Sequence, residues 1–136
     1  MNKLKWWFRI VGVFYLLLTL MNTFFLFFSD GQMFADTLPA PLNAEPLAVR
    51  AFMDAWLVFI LELGVLGVMA LVASRNPIQN KIMAWVIIWA EVFRGVLGDV
   101  IWIVRGYSAS SYIVFIVIHL VIIITGVLFL KSAQTE

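Results

Sequence analysis

Six ionisable side chains, Asp54, Glu62, Glu91, Arg94, Asp99 and His119, stand inside stretches of sequence that are otherwise almost wholly apolar. A charged side chain at the centre of a membrane-crossing helix costs about 2.5–3.5 kcal/mol to insert, so such residues persist where they are paired, protonated or used. Asp54, Glu62, Glu91 and Asp99 stand against a single deep cation, Arg94. That imbalance implies at least one neutral acid, because desolvation penalises the charged form. A neutral carboxylic acid donates a hydrogen bond or exchanges a proton, and Asn22 adds an amide at a similar level. These residues are expected to line one ligand-binding or proton-exchanging pocket. The competing expectation is structural: Arg94 bridges Glu62 and Glu91, and the charges only fix helix rotation and register.

Helical spacing refines the grouping. Glu91 and Arg94 are three residues apart and can touch, while Gly98 and Arg105 fall near the azimuth of Arg94. Glu62 and Asp54 lie about 80° apart, so both can face an interior. Counting depth at about 1.5 Å per residue puts Glu62, Glu91 and Arg94 near mid-membrane and Asn22, Asp54, Asp99 and His119 in the outer half. His119, alone on its helix, reads first as a hydrogen-bonded packing residue and second as a ligand-contacting one. A metal site from His119, Glu62 and either Asp99 or Glu91 is chemically possible. The spacing does not single it out, so no metal, no catalytic residue and no particular cofactor is assigned. Gly64, Gly67, Gly95 and Gly98 read as points of close helix approach.

The elements that must position these groups are four apolar runs, 10–28, 51–73, 82–104 and 112–130, each long enough for the roughly 20 residues that cross a hydrocarbon core. The expected architecture is an all-α integral membrane protein, a four-helix transmembrane up-down-up-down bundle forming one domain over 1–136. Its helices are expected at about 6–28, 47–74, 79–105 and 110–131, with an outer loop over 29–46. Lys3, Lys5, Arg9, Arg75, Lys81 and Lys131 gather on one side and Asp30, Asp36 and Glu45 on the other, so both termini are expected to be cytoplasmic. Trp6, Trp7 and Trp85 would then mark the inner interface, and Trp56, Trp102, Tyr107 and Tyr112 the outer one. Pro46 suits the first turn of the second helix. Asn76-Pro77 marks the next turn, with Pro77 tolerated in the first turn of the helix that follows.

Composition excludes much. The chain of 136 residues is 64% hydrophobic and 12% charged, with a net charge of +1. No basic patch suggests nucleic acid. Cysteine is absent, which removes disulfides, thiol redox chemistry and thiolate metal sites, and a single His excludes bis-His haem ligation within one subunit. The N-terminal run is too long for a signal-peptide core and lacks a small-residue cleavage site, so it reads as a retained first helix.

The stretches Lys5-Trp-Trp-Phe-Arg-Ile-Val-Gly-Val-Phe-Tyr15, Asp54-Ala-Trp56, Ala73-Ser-Arg-Asn-Pro77, Glu91-Val-Phe-Arg-Gly95, Arg105-Gly-Tyr107 and His119-Leu-Val-Ile-Ile-Ile-Thr-Gly126 together resemble the BphX-like small membrane proteins. In layout that family is similar to the broader DoxX-like group, some of which accompany membrane redox enzymes. BphX-like members are associated with genes for aromatic-compound degradation. The resemblance implies a bacterial cytoplasmic (inner) membrane protein and groups Glu91, Arg94, Asp99, Arg105 and His119 in one site, but it carries no catalytic residues. The expected function is binding of a small apolar or amphipathic molecule, aromatic ones included, or of a redox partner, at an outward-facing polar pocket. The alternative is a small oligomeric proton-coupled transporter or channel, with an intramembrane enzyme third. The partners expected are the lipid bilayer, a small ligand, and a second copy or another membrane protein.

Overall fold

The computed structural model describes residues 3–133. All regular structure among them is helical. Helix α1 (Lys3–Phe28) is followed by a short α2 (Gln32–Ala35), a 3-10 turn (Leu42–Ala44) and α3 (Pro46–Ala73). Then come α4 (Lys81–Ala90), a π-helical segment (Glu91–Leu97), α5 (Gly98–Val104) and α6 (Ala109–Ser132). Helices α1, α3 and α6 contain 26, 28 and 24 residues and are apolar enough to cross a membrane. At 1.5 Å per residue they reach about 36–42 Å, more than the roughly 30 Å hydrocarbon core of a bilayer. Large apolar side chains are exposed on all of them, as on Ile10, Leu20, Val65 and Ile124. Helices of this length and surface make a multi-pass membrane protein.

Residues 81–104 run from α4 through the π-helical segment into α5 with no non-helical residue between. The uniform third helix expected from periodicity is therefore a helix with a widened middle. Pro77 also differs from expectation. It is buried in the turn that precedes Lys81, not in the first turn of α4. The loop over 29–46 holds two short helical pieces, and Pro46 occupies the first turn of α3, where its missing N–H costs nothing. At the far end of α5, Gly106 takes a positive φ of 88°, which lets the chain double back into α6. The Ser108 N–H then donates to the Thr37 carbonyl at 3.2 Å, tying this turn to the loop.

Packing follows the small residues. Helix α1 packs most extensively on α3. A Cβ added at Gly12 would stand 2.9 Å from the Gly67 carbonyl oxygen, so the two backbones approach as closely as glycine allows. Gly126 of α6 accommodates the indole of Trp7, which donates to Thr125 Oγ1 at 3.1 Å. Trp7 is thus buried inside the bundle and is not an interfacial anchor. Gly98 also departs from expectation, since a Cβ there would meet only the Phe93 carbonyl oxygen, at 3.8 Å.

The buried core is densest in one half of the bundle and reaches past Tyr15 to Ile60 and Leu63 of α3. It is built from Leu4, Phe8 and Val11 of α1, Ala70 and Ala73 of α3, Ala84, Ile87 and Ile88 of α4, and Ile122 and Leu130 of α6. The cavity lined by ionisable side chains lies beyond Tyr15 and Glu91, whereas the grooves between α1 and α6 on the other side are almost wholly apolar.

Candidate functional site

At the edge of the packed half, four side chains from three helical runs form a continuous polar chain. Tyr15 of α1 donates its hydroxyl to Glu91 Oε1. The other oxygen of Glu91 meets Nδ1 of His119 on α6. His119 Nε2 then faces Asp99 Oδ2 at 3.4 Å. Tyr15 and Glu91 are each only 1% exposed and Asp99 6%, while the His119 side chain is partly exposed at 19%. Each imidazole nitrogen faces a carboxyl oxygen. Each contact is favourable only with a proton between its partners, carried by the ring or by the acid.

The π-helical segment explains how Glu91 and Asp99 reach one imidazole. Residues eight apart on an ideal α-helix diverge by about 80°, whereas a wider turn that absorbs one residue leaves about 20°. Glu91, Gly95 and Asp99 are all buried and lie along the face toward α6. Gly95 is the floor of the site. A Cβ there would stand 2.6 Å from His119 Cγ, so only glycine admits the ring.

Beside this chain lies a cavity of about 70 Å³, lined by Tyr15, Asn22, Glu91, Arg94, Asp99 and His119 together with aromatic and aliphatic side chains. It has room for a few waters and is smaller than the roughly 150 Å³ that admits benzene. Asp99 Oδ2 is buried without a hydrogen-bond partner among the described residues. A second pocket, about 210 Å³, shares Asn22, Trp56, Tyr112 and Phe115 as walls with the first and is completed by Met33, Phe34 and Thr37 of the loop region. The shared wall is pinned by Trp56, whose Nε1 donates to Asn22 Oδ1 at 3.1 Å. Trp56 also stacks on Phe59 at 4.7 Å and contacts Trp102 at 5.9 Å, and Trp102 meets Tyr112 at 5.2 Å. Residues expected as an outer aromatic belt, Trp56, Trp102, Tyr107 and Tyr112, therefore pack on one another, and all but Tyr107 line the cavities.

The expected site residues divide. Glu91, Arg94, Asp99, His119 and Asn22 line the polar cavity. Glu62 does not. It is exposed on the face of α3 turned away from Ile60, Leu63 and Gly64, because those residues hold the other face against α1. Asp54 is exposed as well and lines a separate open groove of about 550 Å³ with Arg50 and Asp30. Arg105 is exposed beyond the end of α5. Arg94, expected to bridge Glu62 and Glu91, has its guanidinium 4.8 Å from the Phe59 ring centroid, a cation–π contact. Among the described residues, the ion pairs closer than 4 Å join His119 to Glu91 and to Asp99. The counter-ion position expected for Arg94 is occupied by the imidazole.

Tyr15 is the residue that sequence reasoning missed. The available signal was a phenol deep within an otherwise uncharged helix, far from either interface. The trio Glu91, His119 and Asp99 does not form a metal cage, because the ring stands between the carboxyls. Among the described residues, no group of three potential His, Cys, Asp or Glu ligands converges.

No curated protein and no solved structure matches the chain. The family model of the BphX-like proteins matches residues 1–135, and with that coverage the chain belongs to the BphX-like family.

Proposed function

We propose that this protein is a four-span membrane protein that binds a small amphipathic molecule. Residues 81–104 form the fourth crossing, the helices run up-down-up-down, and both termini are cytoplasmic. The cavities open toward the side of loop 29–46, outside the bacterial inner membrane. The observation that carries the reading is the shared wall between the two cavities. The 210 Å³ pocket supplies aromatic and methionine side chains for an apolar body, and the 70 Å³ cavity beyond Asn22 and Trp56 supplies Asp99 and Arg94 for a polar group. Apolar walls with a few convergent polar groups are the usual composition of a small-molecule site. Asp99 Oδ2 makes no hydrogen bond and meets His119 Nε2 only at 3.4 Å, so a donor such as a hydroxyl or amine within the polar cavity would complete its hydrogen bonding. Since 70 Å³ is too small for a ring, the ligand's apolar part belongs in the larger pocket.

Benzyl alcohol and toluene provide the test, because they share a ring and differ in the hydroxyl. In detergent, benzyl alcohol should raise the melting temperature saturably and more than toluene, and Asp99→Asn should reduce that difference. Native mass spectrometry of the purified protein should also show a retained small molecule. Absence of a saturable shift with either compound, together with an empty mass spectrum, refutes ligand binding.

A proton-coupled transporter is the second reading, favoured by the Tyr15, Glu91, His119 and Asp99 chain. Against it stands the close-packed half below Glu91, built from Phe8, Val11, Ile87, Ile88 and Ile122. Proton flux into protein-loaded liposomes, abolished by Glu91→Gln, would establish it over the binding reading.

A further inference from the structure

Glu62 is an exposed carboxyl near the middle of a 28-residue apolar helix. Ionisable residues at this depth almost always face a bundle interior or a water-filled cavity. Glu62 does neither within one chain. Residues Ala55, Val58, Glu62, Val65, Met69 and Val72 recur at alternating spacings of three and four and are all exposed. They form a continuous seam with a 3.5-residue period, the pattern by which paired helices pack, and a lone polar residue in such a seam sets its register.

We infer that this seam of α3 joins two copies of the chain in a parallel dimer in which the two Glu62 carboxyls hydrogen-bond to each other. Copies inserted the same way in a membrane are related by a two-fold axis along its normal. Such an axis brings a seam residue opposite its own counterpart at the same depth. A carboxylic acid both donates and accepts, so Glu62 is complementary to itself once a proton is shared. Among the described residues no exposed cation stands at the depth of Glu62. The exposed Lys3, Arg50, Arg75, Arg105 and Lys131 all lie at helix ends or in connections, and Arg94 is turned onto Phe59. A head-to-tail contact would therefore leave Glu62 without a counter-charge at its depth. The inference rests on α3 crossing a membrane and is independent of any ligand.

Single cysteines in this cysteine-free chain test it in native membranes. Val58→Cys and Val65→Cys, on the seam, should form disulfide dimers on mild oxidation. The equally exposed Leu20→Cys of α1 and Val117→Cys of α6 should not. In the Val65→Cys background, Glu62→Leu should lower the dimer yield several-fold, while Glu62→Gln, whose amide also donates and accepts, should preserve it. Equal cross-linking at seam and control positions overturns the dimer. So do adducts only to a protein of different mass, or a yield unchanged by Glu62→Leu.

Discussion

The imidazole of His119 rests on the bare α-carbon of Gly95, where a Cβ would stand 2.6 Å from His119 Cγ and 2.7 Å from Nδ1. Those are distances that side chains do not tolerate, and the ring is held from both sides by Glu91 and Asp99. Gly95→Ala must therefore push α6 away from the π-helical segment or break a hydrogen bond. The expected cost is about 1–3 kcal/mol, typical of overpacking. Thermal unfolding in detergent measures it. His119→Ala removes the obstructing ring, so adding Gly95→Ala to it should cost much less than in the parent protein, a coupling that a double-mutant cycle reads directly.

Removing His119 leaves Glu91 and Asp99 buried without their counter-group. Breaking a buried pair this way typically costs about 3–5 kcal/mol. His119→Leu should thus lower the melting temperature strongly, and Glu91→Gln with Asp99→Asn in that background should recover part of the loss. Arg94→Ala should cost far less, about 0.5–2 kcal/mol, since it removes a cation–π contact with Phe59. If Arg94→Ala proved as damaging as His119→Leu, Arg94 would be the counter-ion after all.

The contrast between Arg94 and His119 shows where the sequence stops being legible. Hydropathy and length give the long helices, because those follow from a running sum over many residues. Charge type and depth single out Asn22, Asp54, Glu62, Glu91, Arg94, Asp99 and His119, of which all but Asp54 and Glu62 share one cavity. Azimuth is another matter. Rotation about a helix axis is read by assuming 3.6 residues per turn, and the π-helical segment breaks that assumption between Glu91 and Asp99, where it matters most. Uniform arithmetic aligns Arg94 with Gly98, whereas the actual backbone aligns Glu91, Gly95 and Asp99. Glu62 fails for a related reason. Helix α3 is apolar all round, so no polar stripe reveals that Gly64 and Gly67 fix its inward face.

Orientation in the bilayer rests on the Lys and Arg distribution, and single-cysteine labelling tests it. Lys3, Lys5 and Arg9 precede the first apolar run, Arg75 and Lys81 flank the turn between α3 and α4, and Lys131 closes α6, whereas Asp30, Asp36 and Glu45 occupy the loop between α1 and α3. Basic residues near helix ends are retained on the cytoplasmic side. Asp36 is exposed at the end of α2, so a cysteine there is accessible without disturbing the packed half. Asp36→Cys should react with a membrane-impermeant maleimide in intact cells. Ser132→Cys should react only after the cells are opened. The reverse pattern would invert the bundle and turn its cavities toward the cytoplasm. Labelling of both positions in intact cells would instead mean an odd number of crossings, leaving residues 81–104 outside the hydrocarbon core.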